Sequence, residues 1–191
     1  EFTEPSPGYH GLVYSEVIGS ASYIAKVRIE GLRDLGGSLS PYNAFQILQG
    51  LETLDVRMKK HSENALNLAK WLETRKEVEW VNYPGLKSSK YFNLSKKYLS
   101  KGQSGIITFG VKGGYENAKI VSDKTSLFSL VANIGDTKSL IIHPASTTHQ
   151  QLNEKEQTSS GVTKDLIRLS VGIEDIDDLK QDLLNAFSYI K

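Results

Sequence analysis

Cysteine is absent from the 191 residues. Disulfides, thiol nucleophiles and cysteinyl metal sites are thereby excluded, which fits a reducing compartment and makes the cytoplasm the expected location. The chain also lacks an excess of either charge. Its 23 Lys and Arg face 22 Asp and Glu, a net charge of +1, so nothing points to nucleic acid or an anionic lipid surface. A small molecule or another protein is the expected partner. No apolar run approaches the roughly 20 residues of a membrane-spanning helix, and no charged-then-apolar leader opens the chain. A nucleophile elbow, a phosphate-binding glycine loop, zinc spacing, internal repeats and low-complexity tracts are missing as well. His143 and His149 stand six residues apart with no third ligand nearby, so no metal site is expected.

The hydrophobic content of 39% suffices for one domain with a substantial core or for two unequal lobes. The first residues, Glu1 to Gly8, read as the middle of a loop, so residue 1 is taken as an arbitrary start. Apolar residues at helical spacing predict a helix over Tyr14 to Leu35, ending at Gly36-Gly37. Ser40-Pro41 is a strong helix start. From there Ile47, Leu51, Leu54, Met58, His61, Ala65, Leu68 and Leu72 step by fours and threes, predicting one helix to about Glu73. At about 1.5 Å per residue it would be roughly 50 Å long, more than a compact domain of this size needs, so it is expected to bridge two lobes. His61 lies inside the apolar stripe and reads as a packed or hydrogen-bonded histidine.

Beyond Arg75 short strands and helices alternate. Strands are expected at Val78 to Tyr83, Gly105 to Val111, Ser139 to Ile142 and Leu166 to Gly172, and helices at Tyr91 to Leu99, Tyr115 to Leu130, Gln150 to Gln157 and Ile176 to Tyr189. This pattern predicts a layered α/β lobe with helices packed on a sheet. Thr147 or Thr148 reads as a helix cap, with Gln150 or Gln151 completing a capping box. Lys138, at the mouth of an apolar strand, reads as solvated rather than catalytic.

In the last strand Ile167, Leu169, Val171 and Ile173 share one face, and Arg168, Ser170 and Gly172 the other. An arginine in a strand interior needs an anion, and its planar fork matches a carboxylate. Arg168 is therefore a candidate for the α-carboxylate of an amino acid. The alternative reading is an internal salt bridge to Asp175 or Asp178, or exposure at a sheet edge.

Three ordered motifs then carry a resemblance over almost the whole chain. They are Ser40-Pro41-Tyr42-Asn43-Ala44-Phe45 through Gln49-Gly50-Leu51-Glu52-Thr53-Leu54 to Arg57; Ser139-Leu140 with His143-Pro144-Ala145-Ser146-Thr147-Thr148-His149; and Arg168-Leu169-Ser170-Val171-Gly172-Ile173-Glu174. Together they resemble the pyridoxal-phosphate enzymes of cysteine and methionine metabolism. Gly8-Tyr9-His10-Gly11 and the stretch from Gln150-Gln151-Leu152-Asn153 to Gly161-Val162-Thr163 look most like the O-acetylhomoserine sulfhydrylase branch, with cystathionine γ-synthase and methionine γ-lyase as alternatives.

The resemblance implies the small C-terminal α/β domain of an aspartate-aminotransferase-type (fold type I) enzyme. Residues 1–39 would end the large cofactor domain, 40–74 would form the connecting helix and 75–191 the C-terminal domain. It implies a substrate carboxylate held by Arg168 and Ser139, with Thr148 bordering the pocket. Pyridoxal 5'-phosphate and the lysine that holds it would belong to a part preceding residue 1, so no catalytic or cofactor-binding residue is expected in this chain. The implied partners are that N-terminal portion and further copies in a homotetramer, acting on a small amino-acid substrate without nucleic acid or membrane. The implied reaction converts O-acetylhomoserine and sulfide to homocysteine and acetate. A non-catalytic binding or assembly module is the competing expectation.

Overall fold

The computed structural model describes residues 1–190, which form two compact units divided between Glu52 and Thr53. In the first unit the expected helix over Tyr14 to Leu35 is broken into short pieces. Helix α1 (Tyr14–Val17) is followed by a 3-10 turn at Gly19–Ala21, α2 (Ser22–Lys26) and a π-helical stretch at Val27–Asp34. Gly19 supplies the interruption: its φ of 64° is left-handed, which no regular α-helix accommodates. Helix α3 (Pro41–Glu52) completes the unit, its start capped by Ser40 Oγ, which accepts the Asn43 amide at 3.1 Å.

The second unit opens with α4 (Leu54–Leu72). The expected single helix from residue 41 is thus interrupted at Thr53, whose φ of −108° and ψ of 5° leave the helical region. Gly50 and the β-branched Thr53 weaken helix propensity there. Strands β1 (Val78–Asn82), β2 (Ile106–Val111), β3 (Ser129–Leu130), β4 (Leu140–Ile142) and β5 (Leu166–Ser170) form one sheet in the order β1-β2-β5-β4-β3. All neighbours are antiparallel except β3 with β4. Helices α5 (Phe92–Tyr98), α6 (Gly114–Lys124), α7 (Glu154–Ser159) and α8 (Ile176–Phe187) connect them. β3 was not foreseen, because two residues carry no periodicity and pair only through the distant β4.

Alternation divides the sheet into two faces. On one, Ile107, Phe109, Ile141, Ile167, Leu169 and Val171 are fully buried or nearly so. Leu68 and Leu72 of α4, Ala118 and Val121 of α6, and Leu179 and Leu183 of α8 join them in a single core. Phe187 closes it, edge-on to Phe109 and stacked on Trp71. Asp182 fastens α8 to the loop after α6: its carboxylate accepts the amides of Ser126, Leu127 and Phe128 and the Ser126 hydroxyl, all at 2.8–3.0 Å. The other face carries the polar row that defines the candidate site.

Candidate functional site

The pairing register aligns Asn82, Thr108, Arg168 and Ile142 across four strands on the face away from the core. Arg168 is half-buried there, where it meets no carboxylate among the described residues. Its Nη2 donates to the Asn133 carbonyl at 3.1 Å, and its buried Nε has no partner. Burial pushes the guanidinium pKa down from its ordinary value. The internal salt bridge to Asp175 or Asp178 does not form. Asp175 instead caps α8 by accepting the Asp177 amide, and Asp178 lies exposed in the first turn of that helix. A cation with a desolvated donor and no counter-anion has hydrogen-bonding capacity left for an anion.

Asn133 is the neighbour that sequence reasoning missed. It lies in an exposed segment, 35 residues from Arg168 in the chain, so no local pattern links the two. The segment is shaped by short-range bonds: Asn133 Oδ1 accepts the Ile134 amide, Asp136 Oδ1 accepts the Lys138 amide, and Gly135 turns with a φ of 78°. Lys138 is exposed, as expected.

Ser139 and Thr148 are not bonded to Arg168. Ser139 is fully buried, and its polar groups are all engaged. Its amide donates to Glu174 Oε1 at 2.6 Å and its hydroxyl to Glu174 Oε2 at 2.9 Å, the hydroxyl accepts the Gly172 amide at 2.8 Å, and its carbonyl accepts the Ser129 amide at 3.0 Å. Thr148 is exposed, with its hydroxyl 2.8 Å from His149 Nδ1. Neither threonine caps the start of the following helix. Thr147 donates to the His143 carbonyl, and α7 starts later, where Asn153 and Glu156 form the capping box. Asn153 fits because its extended backbone, with a glutamate three residues on, suits the cap geometry better than the 3-10 turn that Pro144 begins.

The histidines take structural roles. His61 is buried with Nδ1 2.6 Å from the Val171 carbonyl, which fixes the proton on Nδ1. His143 Nε2 faces the Lys164 carbonyl and therefore donates, while Nδ1 lies 2.8 Å from the Ser146 hydroxyl. Burial lowers the His143 pKa. No group of three metal-ligating side chains occurs among the described residues, nor is any helix long and apolar enough to cross a membrane.

The chain is similar to known proteins over nearly its whole length. A sequence profile for the Cys/Met metabolism PLP-dependent enzymes matches residues 8–188. The chain is 54% identical to an O-acetyl-L-homoserine sulfhydrylase of Leptospira meyeri, covering 99% of this chain and 45% of that protein. It is 50% identical to a homocysteine synthase of Schizosaccharomyces pombe, covering 97% and 43%. A crystal structure of an O-acetylhomoserine (thiol)-lyase from Campylobacter jejuni, carrying N'-pyridoxyl-lysine-5'-monophosphate, superimposes with a TM-score of 0.84 at 51% identity, over 98% of this chain and 44% of that one. The chain therefore spans less than half the length of these relatives.

Among the described residues neither a buried lysine nor a free buried aspartate is available to that cofactor. None of the described lysines is buried, and the buried Asp182 is saturated by the loop it holds.

Proposed function

The chain belongs to the Cys/Met metabolism PLP-dependent enzymes, and from that premise we propose that it is the substrate-carboxylate half of an O-acetylhomoserine sulfhydrylase. In the complete enzyme, O-acetylhomoserine and sulfide would give homocysteine and acetate. Pyridoxal phosphate, when bound in that enzyme, would supply the electron sink. The contribution of this chain is orientation.

The observation that carries this reading is Arg168: a half-buried guanidinium with an unpaired Nε and no carboxylate partner among the described residues. An incoming α-carboxylate satisfies it in the bidentate geometry that Arg favours. The approach lies beside Asn133. Ser139 enters through the backbone it stabilises rather than by a free hydroxyl, and Thr148 borders the site as an exposed residue of the segment after β4.

The partner that completes the site also explains the first unit. Tyr42, Phe45, Ile47, Leu48 and Leu51 are each more than half exposed along α3. An apolar face of this kind marks an interaction surface, and the remainder of the enzyme, more than half the length of the relatives, is the occupant we assign to it. Homo-oligomerisation would add to the same burial.

In the complete enzyme, Arg168→Ala is expected to weaken binding of the amino-acid substrate by about 2 to 5 kcal/mol. Unchanged kinetics in that variant would end the carboxylate role. Comparing sulfide, cysteine and water as co-substrates separates a sulfhydrylase from a γ-synthase and a γ-lyase; turnover with sulfide alone is the expected result.

A further inference from the structure

Two segments meet at the candidate site, and only one of them has a hydrophobic anchor. Residues 166–171 belong to the core strand β5 and its immediate continuation, with Ile167, Leu169 and Val171 fully buried. Residues 131–138, which carry Asn133, are exposed throughout, including the apolar side chains of Val131 and Ile134. Their position against Arg168 therefore rests on polar contacts to the strand beside them.

Those contacts run from Gly135 to Ser139, where Glu174 closes the row. Ile173 donates its amide to the Thr137 carbonyl at 2.9 Å, and Gly135 donates its amide to Ser170 Oγ at 3.1 Å. At the end of the segment, Glu174 takes both the amide and the hydroxyl of Ser139. The direction of each bond is fixed. The Gly172 amide can only donate, so it uses a lone pair of Ser139 Oγ, and the hydroxyl proton then turns to Glu174 Oε2. Glu174 is itself held from behind by α4, where Asn64 Nδ2 donates to the carbonyls of Gly172 and Glu174 at 3.0 and 2.8 Å and His61 holds Val171. The space is filled as well. A Cβ added at Gly172 would collide with the Thr137 carbonyl and with Glu174 Oε2, and would stand 2.7 Å from the Lys138 carbonyl carbon.

We propose that Glu174 is a positioning residue, acting through Ser139 to lock the Asn133 segment beside Arg168 so that the anion site is formed before substrate arrives. The proposal rests on the carboxylate reading of Arg168 and assigns a cause to its geometry. An isosteric amide cannot replace the carboxylate. If one end of a glutamine accepts the Ser139 amide, the other presents N–H groups to Ser139 Oγ, and the buried hydroxyl proton is left without an acceptor.

The test uses the complete enzyme with Glu174→Gln, Ser139→Ala and the double variant, beside Arg168→Ala. Steady-state kinetics and hydrogen–deuterium exchange over residues 133–138 are measured on each. Each single substitution should raise KM for the amino-acid substrate about tenfold, the effect of one lost buried hydrogen-bond partner, with kcat within twofold. Exchange over 133–138 should rise in both, and the double variant should be no worse than the worse single, because both substitutions remove the same bond from the Ser139 hydroxyl to Glu174. An unchanged KM with unchanged exchange would overturn the proposal. So would additive effects, or loss of kcat with KM intact. The two readings fail differently: if Arg168→Ala leaves KM unaltered, the carboxylate role itself is lost, whereas a raised KM for Arg168→Ala beside a normal Glu174→Gln sinks only the positioning role.

Discussion

Residues 1–52 and the unit beginning at Thr53 solve the problem of apolar surface in opposite ways. The second buries a large set of aliphatic residues in one core between the sheet and α4, α6 and α8, and satisfies buried polar groups such as those of Asp182 and Ser139 with internal bonds. The first has Tyr14 as its one buried hydrophobic residue among those described, and leaves Leu35, Tyr42 and Leu48 largely in solvent. Its helices carry amphipathic patterns without a facing layer. A helix forms from local propensity and capping, but its apolar stripe is stabilised only when another element covers it. The difference teaches that one unit contains its own core, while the other carries an apolar face that the described residues leave uncovered.

Substitutions in the two units should therefore differ in effect, beginning with the core. Leu68→Ala, at a fully buried α4 position, is expected to cost about 2 to 5 kcal/mol in chemical denaturation of the second unit. A loss under 1 kcal/mol would mean that this core is not the source of its stability. Gly172→Ala should cost about 1 to 3 kcal/mol by overpacking, since backbone atoms of Thr137 and Lys138 occupy the space its methyl needs; wild-type stability would show that the contact relaxes freely.

A pH dependence distinguishes the second unit further. Burial depresses the folded-state pKa of His143 below its ordinary value of 6.5, so the unfolded chain takes up the proton first. The stability from neutral His143 is complete above about pH 6.5 and is lost as pH falls through the lower folded-state pKa. His143→Gln should flatten that limb of a stability-versus-pH curve, and an unaltered curve would assign the loss to other groups. The smallest effect is expected in the first unit. Leu48→Ser should change the stability of this chain by no more than about 0.5 kcal/mol, yet weaken its association with the rest of the enzyme as measured by titration of the two parts. A large stability loss without change in association would erase the contrast between the units.

Much of the second unit could be read from the chain. The alternation in Leu166 to Gly172 identified a strand with Arg168 facing away from the core, and the spacing of Ala65, Leu68 and Leu72 identified the buried stripe of α4. The same stripe continued through Ile47 and Leu51, where the structure shows exposure. Periodicity reports that a face is apolar, not whether this chain provides its cover. The break at Thr53 and the fragmentation after Gly19 also escaped the pattern, because single residues with altered dihedral angles leave the surrounding hydrophobic spacing intact.

The site divides along the same line. Sequence alone determined that a cation sits in a strand interior, that the flanking motifs belong to a particular enzyme family, and that these 191 residues supply no cysteine. Only the tertiary structure decided that Arg168 has no acidic partner among the described residues, that its hydrogen bond goes to Asn133, and that the Ser139 hydroxyl is committed to Glu174. The physical reason is range. Propensity, capping and face alternation act over a few residues, whereas a hydrogen bond between positions 35 apart exists only after the sheet has set its register.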